Sequence, residues 1–236
     1  MKAGIIGAME PEVAILKDQL TNPTVEHHAG FTFYQGQLAG VDVVIVQSGI
    51  GKVAAALATA ILLDRFTPAY VVNTGSAGGF DQSLKVGDVV ISSEVRYHDV
   101  DVTAFDYEIG QLPGNPAAYI PHPSLVNAAI ESAKTLDNIQ TLTGLITTGD
   151  TFMTKDEDIA KARLNFPTMA AVEMEGAAIA HTCHQFNIPF VVIRSMSDIA
   201  GKESPVSFEA YLETASVNSS ALVCKMLDTL KGQRLS

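Results

Sequence analysis

VDVVIVQ at residues 41–47 carries Val or Ile on both faces of any strand it could form, and PFVVIRS at 189–195 has the same character. Successive side chains of a strand point to opposite sides. A strand with no polar face needs cover on both, as in a sheet held between two helix layers. Outward from these runs, short β-branched stretches alternate with Ala-rich amphipathic ones. Strands are expected at 3–7, 32–38, 41–47, 70–74, 88–95, 141–147, 171–173 and 190–195. Helices are expected at 11–20, 52–65, 124–136, 155–165, 176–186 and from about 207 to 230. This alternation predicts an α/β fold, a three-layer α/β/α sandwich. Only Ala39-Gly40 separates 32–38 from 41–47, so these two strands read as a hairpin and the central β-sheet as mixed. Segment 100–121 has three prolines, several aromatics and no period, which suits a functional loop or an interface. No linker or repeat divides the chain, so 1–236 is read as one domain.

Hydrophobic residues make up 47% of the chain and charged ones 17%, enough apolar side chains for a large core. The formal net charge of −11 argues against nucleic acid and anionic membranes, which need a basic face. It leaves a small neutral or cationic ligand open. Cys183 and Cys224 stand far apart without a CxxC motif, so no disulfide framework is expected and a reducing cytoplasm fits. The apolar run within residues 1–13 is too short for a signal peptide. No stretch approaches the roughly 18 apolar residues of a membrane helix.

Ligands of open α/β sheets bind beyond the carboxyl ends of the strands. Those exits read GAMEPE (7–12), SGIGK (48–52), NTGSAGG (73–79), TTGDTFM (147–153), VEMEG (172–176) and SMSD (195–198). Glycine recurs, and so do acids: Glu10, Glu12, Asp150, Glu173, Glu175 and Asp198. An acidic rim suits hydroxyls, protonated groups or a developing cation. SGIGKVA is not a P-loop, which would need Gly at Val46 and Ser or Thr at Val53, and TGSAGG is not GxGxxG. HTCH (181–184) has metal-ligand residue types, but histidines on an Ala-rich helix read better as packing or surface residues. Arg194 sits inside a buried-looking strand, where an unpaired guanidinium would be costly, so one of the VEMEG glutamates should partner it. Glu173 either takes that role or turns to solvent as its strand ends.

IIGAMEPE (5–12), NTGSAGG (73–79), VEMEGAAIA (172–180) and VIRSMSD (192–198), in this order and over essentially the whole chain, resemble the 5′-methylthioadenosine/S-adenosylhomocysteine nucleosidases of the purine nucleoside phosphorylase-like superfamily. The resemblance implies hydrolysis of the N-glycosidic bond to adenine and the thioribose, in methionine salvage and S-adenosylhomocysteine recycling. It also implies no cofactor, no metal and a homodimer. By resemblance Asp198 is the general acid on the adenine ring nitrogen N7, with Ser197 holding it, and Glu12 is the base that activates water. Taken alone, Glu12 after Pro11 reads as an ordinary first-turn glutamate and Asp198 as a helix cap. Acid and base together give the arrangement of an inverting hydrolase, with an oxocarbenium-like transition state. The resemblance further places Glu175 on the ribose 2′- and 3′-hydroxyls, with Arg194 orienting it and Met174 on the sugar. Phe152 stacks on adenine, the Met153 backbone reads its edge, and Ser76 and Gly78 line the base and ribose side. Met9, Ile50 and Phe208 line the 5′-thio pocket, which Phe105, Tyr107 and Pro113 of a neighbouring subunit close.

A purine nucleoside phosphorylase is the nearest rival. Phosphate favours arginines, and this chain has Arg65, Arg96, Arg163, Arg194 and Arg234, none of them in the first 64 residues. A hydrolase for a larger 5′-substituent, such as an aminofutalosine, and a non-catalytic nucleoside-binding or storage protein are further alternatives.

Overall fold

The computed structural model describes residues 1–136, 139–200, 204–233 and 235, with backbone alone for 204–207. Among the described residues, nine strands and six α-helices follow one another as β1 (Ala3–Gly7), α1 (Glu10–Asp18), β2 (Thr21–His28), β3 (Phe31–Leu38), β4 (Val41–Gln47), α2 (Lys52–Phe66), β5 (Tyr70–Gly79), β6 (Val89–Tyr97), α3 (Pro123–Ala133), β7 (Thr141–Thr148), α4 (Asp156–Asn165), β8 (Met169–Glu173), α5 (Gly176–Gln185), β9 (Phe190–Ile199) and α6 (Ser204–Leu230). A 3-10 turn at Thr103–Phe105 lies in the long excursion after β6.

All the strands join one mixed sheet in the order β2-β3-β4-β1-β5-β8-β7-β6-β9. β9 also runs parallel to β5, from Val71 opposite Phe190 to Gly79 opposite Ile199. Strands β5, β8, β7, β6 and β9 therefore close into a ring, while β1 to β4 extend from it as an open sheet. The expected hairpin is present: β3 and β4 are antiparallel, and Ala39 and Gly40 at its turn both take positive φ. Two positive φ angles in a two-residue turn match the right-handed twist of the strands.

The apolar runs bury both faces. Val44, Val46 and Val192 pack with Ala55, Ala58 and Leu62 of α2 and Ala177–Ala180 of α5. The alternate residues Val43, Ile45, Val191 and Ile193 pack with Leu16 of α1, Leu125 of α3 and Leu222 and Met226 of α6. Each such Val or Leu contributes roughly 1.5–3 kcal/mol on burial. Helices thus cover both sides, as the composition of 41–47 demands.

Three features differ from the sequence expectation. Strand β2 was not foreseen, because TNPTVEHH lies almost wholly exposed on the sheet edge and carries no apolar alternation. Its Pro23 sits where the pairing with β3 shifts register, a place an edge strand tolerates. Strand β5 runs on through the glycines to Gly79, because β9 accompanies it along this length. Likewise β9 extends to Ile199, so Asp198 lies within the strand rather than just beyond it. No helix among the described residues is long and apolar enough to cross a membrane.

Candidate active site

A cavity of about 280 Å³ opens where β1, β5, β8 and β9 end near the start of α1. Met9, Glu12 and Ile50 form one part of its wall, and Ser76, Gly78, Ser197 and Asp198 another. Met174, Glu175, Phe152, Met153 and Phe208, likewise expected from the sequence, line it too. Ala8, Ala77, Thr151, Val172, Glu173 and Ala200 also line it. Ala8, Ala77, Thr151 and Glu173 directly neighbour an expected site residue, and Val172 and Ala200 lie two positions from Met174 and Asp198, so chain proximity was the available signal.

Glu12 is buried in the first turn of α1. Its Oε2 accepts from the backbone N–H of Ala8 at 2.7 Å and of Met9 at 2.9 Å. This is the helix-capping role its position suggests. Its Oε1, however, accepts from Ser76 N and Ser76 Oγ of β5, both at 2.9 Å. Local helix chemistry and a contact 64 residues away share one carboxylate. Gly75 makes the approach possible: a Cβ there would lie 2.7 Å from Glu12 Oε1 and 2.5 Å from Arg194 Nη1.

Close to Glu12, across Gly75, are Arg194 and its partners Glu173 and Glu175. Arg194 is wholly buried behind the cavity wall and does not line it. Its Nη2 donates to Glu173 Oε2 at 2.5 Å and to Asn73 Oδ1 at 2.7 Å, and Nη1 donates to Ser76 O at 3.3 Å. Glu175 Oε2 lies farther off, at 3.6 Å. Arg194 is thus within ion-pair distance of both glutamates, the expected Glu175 and, more tightly, Glu173. The reason is local, because β8 ends at Glu173 and Glu175 follows a turn at the start of α5. Glu173 also accepts from Thr148 Oγ1, from Glu175 N at 2.9 Å and from Gly176 N at 2.6 Å, so it satisfies the first amides of that helix. Glu175 Oε1 instead accepts from Gly51 N at 2.9 Å.

These surroundings set the charges. Burial, then the negative Glu173, pushes Glu175 up to about 7, against the pull of Arg194 and the Gly51 N–H. Burial opposes the Arg194 charge, but Glu173, Glu175 and Glu12 outweigh it and raise its pKa, keeping it cationic.

Asp198 is buried in β9, and Ser197 Oγ donates to its Oδ1 at 3.0 Å. A Cβ on Gly78 would come within 3.2 Å of Asp198 Oδ2, so a glycine there gives the carboxylate room. Ala77, Val172, Met153 and Ala200 give this side an apolar lining. Phe152, 43% exposed, meets Phe208 edge-on, with ring centroids 5.6 Å apart at 74°.

Other sequence candidates lie elsewhere. Glu10 pairs with Lys17 on the surface at 2.6 Å, and Asp150 binds Lys52 N at the start of α2, so only four of the six rim acids line the cavity. Phe105 is 73% exposed, Pro113 is exposed and Tyr107 half-buried, and none lines the cavity of its own chain. His181 stacks on Tyr119 at 5.1 Å, and His184 meets the same ring. Among the described residues, no group of three or more His, Cys, Asp or Glu is arranged to hold a metal ion. Arg65 and Arg96 pair with Glu26 and with Glu94 and Glu108, Arg163 binds Phe80 O, and Arg234 lies outside the described residues.

The phosphorylase superfamily model matches residues 2–228. A 5′-methylthioadenosine/S-adenosylhomocysteine nucleosidase of Colwellia psychrerythraea is 74% identical, over 100% of this chain and 99% of its own. The crystal structure of such a nucleosidase from Colwellia psychrerythraea 34H, in complex with adenine, is 75% identical with a TM-score of 0.99, covering 100% of this chain and 98% of that one. The Neisseria meningitidis nucleosidase in complex with methylthio-immucillin-A is 45% identical with a TM-score of 0.95, over 97% and 99%. The acids and glycines of the cavity thus sit on a scaffold shared end to end with these enzymes, and the chain belongs to the 5′-methylthioadenosine/S-adenosylhomocysteine nucleosidase family of N-glycosyl hydrolases, within the phosphorylase superfamily.

Proposed function

We propose that this chain hydrolyses the N-glycosidic bond of 5′-methylthioadenosine and S-adenosylhomocysteine to adenine and the corresponding thioribose. The observation that carries the reading is the meeting of Glu12, Glu175 and Asp198, from α1, the start of α5 and β9, on the wall of one cavity. As the C1′–N9 bond breaks, its electron pair leaves with adenine and the ribose becomes oxocarbenium-like. Asp198, with Ser197 beside it, gives a proton to N7 so that adenine departs neutral. Glu12 takes the proton of the water that adds to C1′. Four donors surround Glu12, matching a carboxylate that only accepts. Glu175 accepts from the ribose hydroxyls, and these bonds strengthen as the ring gains positive charge. Phe152 stacks on the base, Met153 reads its edge, Met174 packs on the sugar, and Met9, Ile50 and Phe208 surround the 5′-thio group.

Water rather than phosphate is favoured because no described arginine lines the cavity and Arg194 is engaged by Glu173. The 5′ side is completed in a homodimer by Phe105, Tyr107 and Pro113 of the neighbouring subunit. Supporting this, Phe105 is exposed, as are Ile50, Val53 and Leu57 around the start of α2. The chain acts as one nucleosidase domain, in the cytoplasm, in methionine salvage and S-adenosylhomocysteine recycling.

Adenine release from methylthioadenosine, with and without phosphate, tests the reading. Phosphate-independent release is expected. Release that requires phosphate would make the chain a phosphorylase, and binding without release a storage protein. Faster cleavage of an aminofutalosine would redirect the assignment of the 5′ group.

A further inference from the structure

Helix α2 begins with Gly51, whose φ of 94° and missing side chain leave the helix without a cap of its own. Carboxylates from elsewhere take its first amides. Gly51 N donates to Glu175 Oε1 at 2.9 Å, and Lys52 N donates to Asp150 Oδ1 at 2.8 Å. Asp150 lies two residues beyond β7 and precedes Thr151 and Phe152, both of which line the cavity. A third acid, Asp99, two residues beyond β6, ties these groups together. Its Oδ2 accepts from Lys52 Nζ at 2.5 Å and from Asp150 N at 3.0 Å. Lys52 Nζ also lies 3.7 Å from Asp150 Oδ2 and 5.7 Å from the Tyr97 ring centroid. Asp99 itself does not line the cavity.

We propose that Asp99 is a positioning residue which, through Lys52 and the Asp150 amide, sets the Gly51 N–H against Glu175 and the Phe152 loop against the base. The proposal rests on the cavity being the nucleoside site. Asp99 and Lys52 side chains are each 24% exposed, so water screens the pair, which should contribute little to folding. Its effect is geometric, because one carboxylate fixes two backbone segments that carry a sugar contact and a base contact. Neighbouring packing leaves few other ways to hold them. A Cβ on Gly149 would fall 2.3 Å from His98 Cε1, and one on Gly51 3.0 Å from Asp150 Oδ1.

The test is Asp99→Asn, with Lys52→Met beside it and Glu131→Gln as a control at the surface pair with Lys134. Asp99→Asn is expected to raise KM for methylthioadenosine about tenfold with kcat changed less than about threefold, in line with lost positioning of remote contacts. The melting temperature should stay close to that of the unaltered chain. Lys52→Met should repeat the KM effect, and the double variant should add little to either single one. Amide exchange should quicken at residues 50–53 and 149–153 in Asp99→Asn, and not in Glu131→Gln. An unchanged KM with unchanged exchange overturns the proposal, and so does a loss that tracks melting temperature alone. If the unaltered chain releases no adenine, the nucleoside reading fails, and the exchange data then decide the tether by themselves.

Discussion

Glu12 and Glu175 are both buried glutamates on one cavity wall, yet their immediate surroundings differ. Glu12 is met by four donors, two from the start of its own helix and two from Ser76. Glu175 has the Gly51 amide, a guanidinium at 3.6 Å that belongs more closely to Glu173, and that second carboxylate as a neighbour. Glu12 is held by donors from two segments of the chain. Glu175, by burial and by the negative Glu173 beside it, is pushed up to about 7. The same side chain thus meets two different environments on one wall.

The largest expected effect removes the acceptor at Glu12. Glu12→Gln, which replaces an acceptor-only oxygen by an amide, should lower kcat by about 10³-fold or more while the chain stays folded, and Asp198→Asn should do the same to the acid. Steady-state adenine release with circular dichroism as a folding check measures both, and substantial turnover in either variant removes the assigned role. The next effect strikes the Glu173–Arg194 pair. Arg194→Met leaves Glu173 as a buried charge without its guanidinium and should cost about 3–5 kcal/mol in urea unfolding. A loss below about 1 kcal/mol would mean that the Thr148 hydroxyl and the α5 amides carry Glu173 without Arg194.

The smallest effect sharpens the contrast through pH. In the folded chain Glu175 sits at about 7, above its ordinary value of 4.5, so the folded state binds more protons than the unfolded state between the two. The stability this group provides is present below about 4.5 and lost as pH rises through about 7. Relative to Glu175→Gln, the unaltered chain should therefore lose up to about 3 kcal/mol as pH rises through that window. Parallel urea curves at each pH test this, and a stability difference that does not vary with pH would place Glu175 among ordinary carboxylates.

Much of this was legible in the sequence because the chemistry stays close to strand ends. Runs such as 41–47 declare a covered sheet, and the acids at their exits declare a polar rim. What could not be read depends on contacts between distant segments. Strand β2 has no apolar face to betray it, only a partner in β3. The glycines at 74–79 look like a turn until β9 is laid alongside. The choice of Glu173 over Glu175 by Arg194 turns on where β8 ends, a matter of one or two residues. Asp99 and Lys52, 47 positions apart, share no motif at all.

Closing β5 to β9 into a ring leaves the sheet with a single free margin, strand β2. Unpaired margins recruit other chains, so a protein with a long apolar one courts aggregation. Here the exposed margin is TNPTVEHH, which carries a proline, a glutamate and two histidines. The strand least visible to pattern reading is thus the one that guards the molecule against self-association through its backbone. A Pro23→Val substitution, with Glu26 and His28 also replaced by valines, should leave the cavity intact and make the chain aggregate on standing more than the unaltered one does, as light scattering would show.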